Sequence, residues 1–338
     1  MFRSGPKNLI TDIAGLTVGH ATDDRVRSGV TVILCGAAWS AGVDVRGGGP
    51  GTRESEALSP ENLVGRAHAV VLAGGSVFGL AAADGVAAAL SVKGIGLQLR
   101  PGSPPIPIVP SAVLHDLGNG GKKSWGASPP YRDLGIRALE SAGVDFDLGS
   151  VGAGCGAMAG LIKGGTGSAS LNLNDGLIVG ALVALNSVGS ALMPDGKTYW
   201  AWPFELEREF GGGGPPPHTM DVSDPAPDES RLMELGRLQA GANTTLGVVA
   251  CNADLTTVEC KRVAMMAQDG IARAVRPAHT PFDGDTIFAL ASGEFRVAAE
   301  GRASQIGRIG SAAADCLARA IARAVHFSHV PTGTGITS

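Results

Sequence analysis

The chain has 338 residues, of which 44% are hydrophobic, 17% charged and 51 glycine. That length and apolar content suit one large domain or two small ones with a sizeable core, and the glycines predict many tight turns and close backbone approaches. A formal net charge of −4 without a long basic run excludes the basic face that nucleic-acid binding needs. Five scattered cysteines (Cys35, Cys155, Cys251, Cys260, Cys316) form no CxxC pair, so neither a disulfide framework nor a zinc knuckle is expected.

The opening segment MFRSGPKNLITDIAGL lacks the apolar stretch of a signal peptide. Residues 69–93 are long and apolar but contain Asp84 and four glycines, and Leu177–Met193 is short for a span and carries Asn186. The expectation is a soluble, cytoplasmic protein with reduced thiols and no membrane segment. The scattered histidines suggest no metal site, and no cofactor is expected.

In chain order, Gly29–Cys35 (GVTVILC) and Ala67–Ala73 (AHAVVLA) read as strands, the second running through Gly74-Gly75 into a helix near Val77–Val92. Leu177–Leu185 is a further buried-strand candidate. Residues 205–229 hold Gly211–Gly214, Pro215–Pro217 and seven acidic residues against the single base Arg208, the composition of a solvated loop within one packed body. A short helix is predicted over Ser230–Gln239, and Gly241-Ala242-Asn243-Thr244-Thr245 then leads into a strand, Thr244–Cys251. Thr256-Thr257-Val258-Glu259 fits a capping box, with Pro277 stopping the helix it opens. After a strand at Ile287–Ala291, a last helix is predicted from near Ser311, burying Leu317, Ile321 and Val325.

The Asn243-Thr244 bond has a chemical reading. A threonine hydroxyl is unreactive at neutral pH unless a base takes its proton. An α-amino group on the same residue, with a pKa of about 7.7–8.0, is such a base once the threonine is first in its chain. An internal threonine reaches that state by attacking the preceding carbonyl, shifting the acyl group to oxygen and hydrolysing the ester. Thr-Thr at the start of a strand is equally ordinary β-propensity. Pro281-Phe282-Asp283-Gly284-Asp285-Thr286 sets two carboxylates across a glycine, to position an ammonium, to share a proton, or as a polar hairpin turn. Lys163, in a glycine-rich loop, either orients a nucleophile or oxyanion or is a surface lysine. Asn186, ending an apolar run, either donates to an oxyanion or closes a strand.

Taken together these segments resemble the β-aminopeptidase family, which includes the DmpA-type L-aminopeptidase/D-amidase/esterases and the nylon-oligomer endohydrolases. The resemblance rests on Asn243-Thr244-Thr245 ahead of GVVACNA, then RPAHTPFDGDTIFA. Upstream it rests on ITDIAGLTVGHAT, VDVRGGGPGTRE, LAGGSVFGLAAADGV, IVPSAVLHDL, GAGCGAMAGLIKGG and ALNSVG, and so covers nearly the whole chain. It implies an α/β fold, a four-layer αββα sandwich of one domain, cut by itself into residues 1–243 and 244–338. It implies that Thr244 is the nucleophile, Asn243 the last residue of the larger chain, Asn186 the oxyanion-hole asparagine and Lys163 the lysine near the nucleophile. Asp283 and Asp285 match the pair that holds the nucleophile's amine. Related enzymes form symmetric assemblies of paired chains, so a homo-oligomer is implied, acting on short peptides or on β-, D- or ω-amino-acid amides. Some members use serine with a Ser/Glu pair; the Thr, Asp, Asp trio here looks more like the nylon-hydrolase side. His115 stands where some relatives carry tyrosine, either tuning the substrate pocket or as a core histidine.

Two other classes compete. Gly154-Cys155-Gly156-Ala157-Met158-Ala159 matches the G-x-G-x-x-A of dinucleotide-binding oxidoreductases, but the preceding strand is poor and no acid-ended second strand follows. A non-catalytic small-molecule-binding protein on the same fold is the other. ATP binding at Gly196-Lys197-Thr198 and a serine-hydrolase elbow at Gly74–Phe78 both lack required glycines, and Cys155 has no histidine partner placed by the sequence.

Overall fold

A computed structural model describes residues 2–232 and 243–329. Its longest strand, β2 (Ser28–Val45), links two layers. The first half of β2 lies between β1 (Leu16–Asp23) and β4 (Arg66–Ala73), antiparallel to both; after a register shift between Leu34 and Trp39, its end pairs with β11 (Thr286–Phe295). Around this hinge runs a nine-stranded mixed sheet. β3 (Thr52–Arg53) and β5 (Ser111–Val113) lie beyond β4, while β10 (Thr244–Ala253), β9 (Ile178–Asn186) and β8 (Gly165–Asn172) lie beyond β11. A separate two-stranded ribbon joins β6 (Met158–Ala159) to β7 (Ile162–Lys163).

Three buried clusters divide the molecule into four layers. Strands alternate their side chains between two faces, and here both faces are apolar. In β11, Ile287, Ala289 and Ala291 pack under α3 (Thr257–Ala274) and α4 (Arg302–His329), whereas Phe288 and Leu290 enter a central core. In β4, Val70 and Leu72 meet that central core from the other side. Val71 and Ala73 face α1 (Ala81–Val92) and α2 (Tyr131–Glu140). The expected αββα sandwich is present, with its two β layers continuous through β2.

The predicted strands are found: Leu177–Leu185 is shifted by one residue to Ile178–Asn186, and the others are extended by one to several residues. Thr256 caps α3: its hydroxyl accepts from Glu259 N at 3.3 Å, and Glu259 Oε2 accepts from Thr256 N at 2.8 Å. Two boundaries differ. The helix expected from Val77 starts as a 3-10 turn, Ser76–Leu80, because Gly75 and Ser76 take φ of 83° and 52°. The last helix starts at Arg302, well before Ser311. Its opening is anchored by Arg302, which donates to Glu259 at 2.6 and 2.7 Å and to the Asp254 carbonyl at 2.7 Å. Gly310 obscures that start in the sequence, yet a Cβ there would lie 2.4 Å from Met266 Sδ, and one at Gly270 would lie 2.4 Å from the Ala314 carbonyl. These glycines let α3 and α4 cross closely. The dinucleotide reading fails locally: Gly152–Gly154 is a 3-10 turn followed by β6, so no helix opens where phosphates would bind.

The acidic segment is not uniformly solvated. Its first residues are tied down through Glu209, whose carboxylate meets the buried Arg319 of α4, with Arg323 at 3.7 Å. Arg319 also donates to the Ser170 carbonyl at 2.8 Å and to Asn8 Oδ1 at 2.9 Å. From 211 to 225 the chain is exposed or half-buried. Residues 233–239 of the helix expected over Ser230–Gln239 lie outside the described residues. Among the described residues no helix is long and apolar enough to cross a membrane.

Glu209→Ala would leave two buried guanidinium groups without their carboxylate. It is expected to cost about 3–5 kcal/mol, read from urea unfolding, because an uncompensated buried charge is far more costly than an exposed one.

Candidate active site

β10 and β11 run parallel, with Leu246 opposite Thr286, and β9 runs antiparallel, with Asn186 opposite Thr244. The start of β10, the end of β9 and the turn before β11 therefore meet at one end of the sheet. That turn is held in place by the glycine-rich stretch after β2: Arg46 N donates to the Asp285 carbonyl at 2.9 Å, and Gly49 N to the Asp283 carbonyl at 2.8 Å.

Thr244 is buried, and its hydroxyl donates to the carbonyl oxygen of Asn243. The same carbonyl accepts the backbone N–H of Gly284 at 2.9 Å. The Asn243 side chain accepts from Arg231, which also donates to the Ser187 carbonyl at 3.3 Å. A Cβ at Gly284 would lie 2.7 Å from the Thr244 hydroxyl, so glycine is needed for this approach.

Both carboxylates of the turn are 1% exposed. Asp283 accepts from the Thr280 N–H (2.9 Å), the Thr280 hydroxyl (2.6 Å) and the Val188 N–H (3.1 Å). Burial, and then the charge of Asp285, push its pKa up to about 6 against the pull of those donors. Asp285 accepts the Thr245 N–H on Oδ1 at 2.7 Å, while Oδ2 sits 2.7 Å from His279 Nδ1. Burial alone would lower the His279 pKa; its hydrogen bond and charge interaction with Asp285 more than offset that and raise it.

Asn186 is buried; its Oδ1 accepts from Met158 N at 3.0 Å, which leaves its amide group to donate to the His115 carbonyl at 3.1 Å. Lys163 joins this arrangement through Met158, its partner across β6 and β7, and its ammonium donates to the Cys155 carbonyl. Burial pulls the Lys163 pKa down. Thr244, Asn186, Asp283 and Asp285 thus converge directly and Lys163 through one intervening residue. His115 enters by its backbone, with a half-buried side chain. All five cysteines are buried and free. Among the described residues no group of three or more His, Cys, Asp or Glu is placed to hold a metal ion.

Sequence reasoning assigned no role to His279, Thr280, Gly284 or Arg231. The first three lie within the motif around Asp283, but their hydrogen bonds appear only once the turn is folded. Nothing in the sequence marks Arg231.

Residues 8–337 match peptidase family S58. The chain belongs to that family and is a hydrolase of peptide or amide bonds. It is 42% identical over 334 residues to an uncharacterized aminopeptidase of Mycobacterium tuberculosis, covering 93% of this chain and 92% of that one. It is 30% identical over 298 residues to a 6-aminohexanoate-oligomer endohydrolase of a Kocuria species, covering 86% and 77%. Its fold is similar to that of a β-aminopeptidase from a Burkholderia species, with a TM-score of 0.70 at 23% identity over 96% of this chain and 88% of that one. It is also similar to the L-aminopeptidase D-Ala-esterase/amidase of Ochrobactrum anthropi, described as a variant of the Ntn hydrolase fold, with a TM-score of 0.62 at 21% identity over 95% and 86%.

Because the folded pKa of Asp283 lies above its unfolded value, folding favours the protonated carboxyl. That contribution is complete below about pH 4 and is lost as pH rises through about 6. The stability of the native chain relative to Asp283→Asn is therefore expected to fall across that window, on top of a constant offset from placing an amide among three donors. Thermal melts of both proteins at a series of pH values check this.

Proposed function

We propose that the chain is the precursor of an N-terminal-threonine amidohydrolase, cut by itself between Asn243 and Thr244. The observation that carries this reading is the Thr244 hydroxyl lying against the Asn243 carbonyl, with Gly284 N–H on the same oxygen. Attack by the hydroxyl oxygen on the carbonyl carbon breaks the Asn243–Thr244 C–N bond and forms an ester, with the proton passing to the leaving nitrogen. Water then releases the Asn243 carboxylate and frees the hydroxyl. The Gly284 N–H is placed to stabilise the negative charge that develops on oxygen.

In the cut enzyme the new α-amine of Thr244, with an ordinary pKa of about 7.7–8.0, serves as the base for its own hydroxyl. Asp283 and Asp285 hold that amine. Asn186, opposite Thr244, donates to the oxyanion of the substrate, and Lys163 adds positive charge on the same side. His115 borders the substrate pocket. The substrates are short peptides or amides with a free amine, including β-, D- or ω-amino-acid amides. The names of two relatives, an aminopeptidase and a 6-aminohexanoate-oligomer endohydrolase, support that range. The working form is a homo-oligomer of processed pairs, in the cytoplasm.

Denaturing electrophoresis of the purified protein is expected to give two bands of 243 and 95 residues, and Thr244→Ala one band of 338. Thr244→Ser and Thr244→Cys should retain some cutting. A native protein that stays intact would instead favour a non-catalytic binding protein on the same fold. Gly284→Ala is expected to slow the cut at least tenfold, since displacing the hydroxyl by a few tenths of an ångström or more spoils the approach; band intensities over time measure it. A screen of aminoacyl anilides and short oligoamides against the cut enzyme then identifies the substrate.

A further inference from the structure

The turn that carries the two carboxylates also carries an imidazole to which the reaction assigns no part. His279 takes φ +53°, a left-handed conformation that histidine tolerates better than most side chains. In that turn its Nδ1 lies 2.7 Å from Asp285 Oδ2, and the ring is three-quarters covered while the carboxylate is fully buried. Asp285 is thereby gripped at both oxygens: by the ring on one and by the Thr245 N–H, 2.7 Å away, on the other. A second acceptor, the Gln268 carbonyl of α3, also favours a protonated ring. Gln268 is itself buried and donates to the Asp44 carbonyl at 3.0 Å, which ties this end of α3 to the end of β2.

The charges around this turn make the arrangement informative. Asp283 and Asp285 are two buried carboxylates within three residues of one another. From neighbouring elements, Arg46 is engaged by Asp44 at 2.8 Å, Arg231 reaches the Asn243 side chain, and Lys163 donates to the Cys155 carbonyl. Each of these cations has its own partner, whereas His279 is in direct contact with Asp285, one of the two carboxylates.

We propose that His279 is a positioning residue of the hydrolase, clamping Asp285 so that the carboxylate holds the start of β10 and supplying a positive charge that moderates the field of the two carboxylates on the amine of Thr244. This rests on the self-processing reading above. Two carboxylates beside an amine favour the ammonium form, which cannot act as a base. An imidazolium on Asp285 opposes that effect, and the amine becomes free at lower pH. No bond is made or broken at His279.

The test is the pH dependence of kcat/KM of the cut enzyme on an aminoacyl anilide. His279→Gln keeps a hydrogen-bond donor for Asp285 and removes the charge. It is expected to cut itself and to bind substrate with little change in KM. Its kcat at neutral pH should fall several-fold, and the acidic limb of kcat/KM should move upward by about one pH unit, the size of one unit charge acting through a half-buried site. His279→Lys should bring the limb part of the way back. A limb that stays in place in His279→Gln overturns the proposal, as does an equal loss of activity at every pH. Should the variant fail to fold, NMR titration of the His279 ring in the native enzyme decides. A midpoint above about 6.5 that falls in Asp285→Asn supports the clamp, and a midpoint at or below it overturns the clamp. A native protein that is never cut removes the reading on which the clamp depends; a cut, active enzyme with an unshifted His279→Gln profile removes the clamp alone.

Discussion

Placing the first residue of one strand beside the turn that precedes its neighbour requires the two strands to run parallel. β10 and β11 do so, and the rest of the site depends on it. The parallel pair brings Thr244 and the Asp283–Asp285 turn to the same end of the sheet. The antiparallel partner on the far side, β9, ends there with Asn186. A parallel pair needs a crossover of a dozen or more residues, and α3 supplies it. The close approaches at Gly270 and Gly310 seat that crossover helix against α4.

Several carboxylates and guanidinium groups of this protein sit on converging donors or acceptors, which offsets the cost of taking them out of water. Glu209 with Arg319, and Arg302 with Asp254 and Glu259, are balanced in this way and hold segments together. The Asp283–Asp285 turn is different: two like charges share one buried turn, with backbone and hydroxyl donors and one imidazole as their partners. Such an imbalance, together with burial, raises the pKa of the Asp283 carboxyl.

Much of this was legible in the sequence, for reasons that can be named. The strands at Gly29–Cys35, Ala67–Ala73 and Thr244–Cys251 are apolar runs that belong between two cores, and the capping box at Thr256 is a local pattern with a local cause. Asn186, Thr244, Asp283 and Asp285 each had a chemical reading beside an ordinary one, and only the resemblance joined them into one site, because single polar residues at strand ends are ordinary. The start of α4 was obscured by glycines whose purpose is a helix crossing. Burial of the front of the acidic segment was hidden because its partner, Arg319, lies 110 residues away in sequence. His279 had no signal of its own: its meaning comes from a 2.7 Å contact formed by the turn's backbone.

The order of strands across the sheet has a consequence for a cut chain. β10 and β11 are the strands that follow Thr244, and they lie between β9 and β2, which precede it. A break at Asn243-Thr244 leaves the smaller piece inserted in the middle of the larger, hydrogen-bonded on both flanks and covered by α3 and α4, which it carries with it. The pieces separate only if the sheet opens along two seams at once. Once apart, they would have to find each other as two molecules before the central layer could re-form. Durability of the cut protein is then a matter of how slowly it opens, rather than of an equilibrium between folded and unfolded chains.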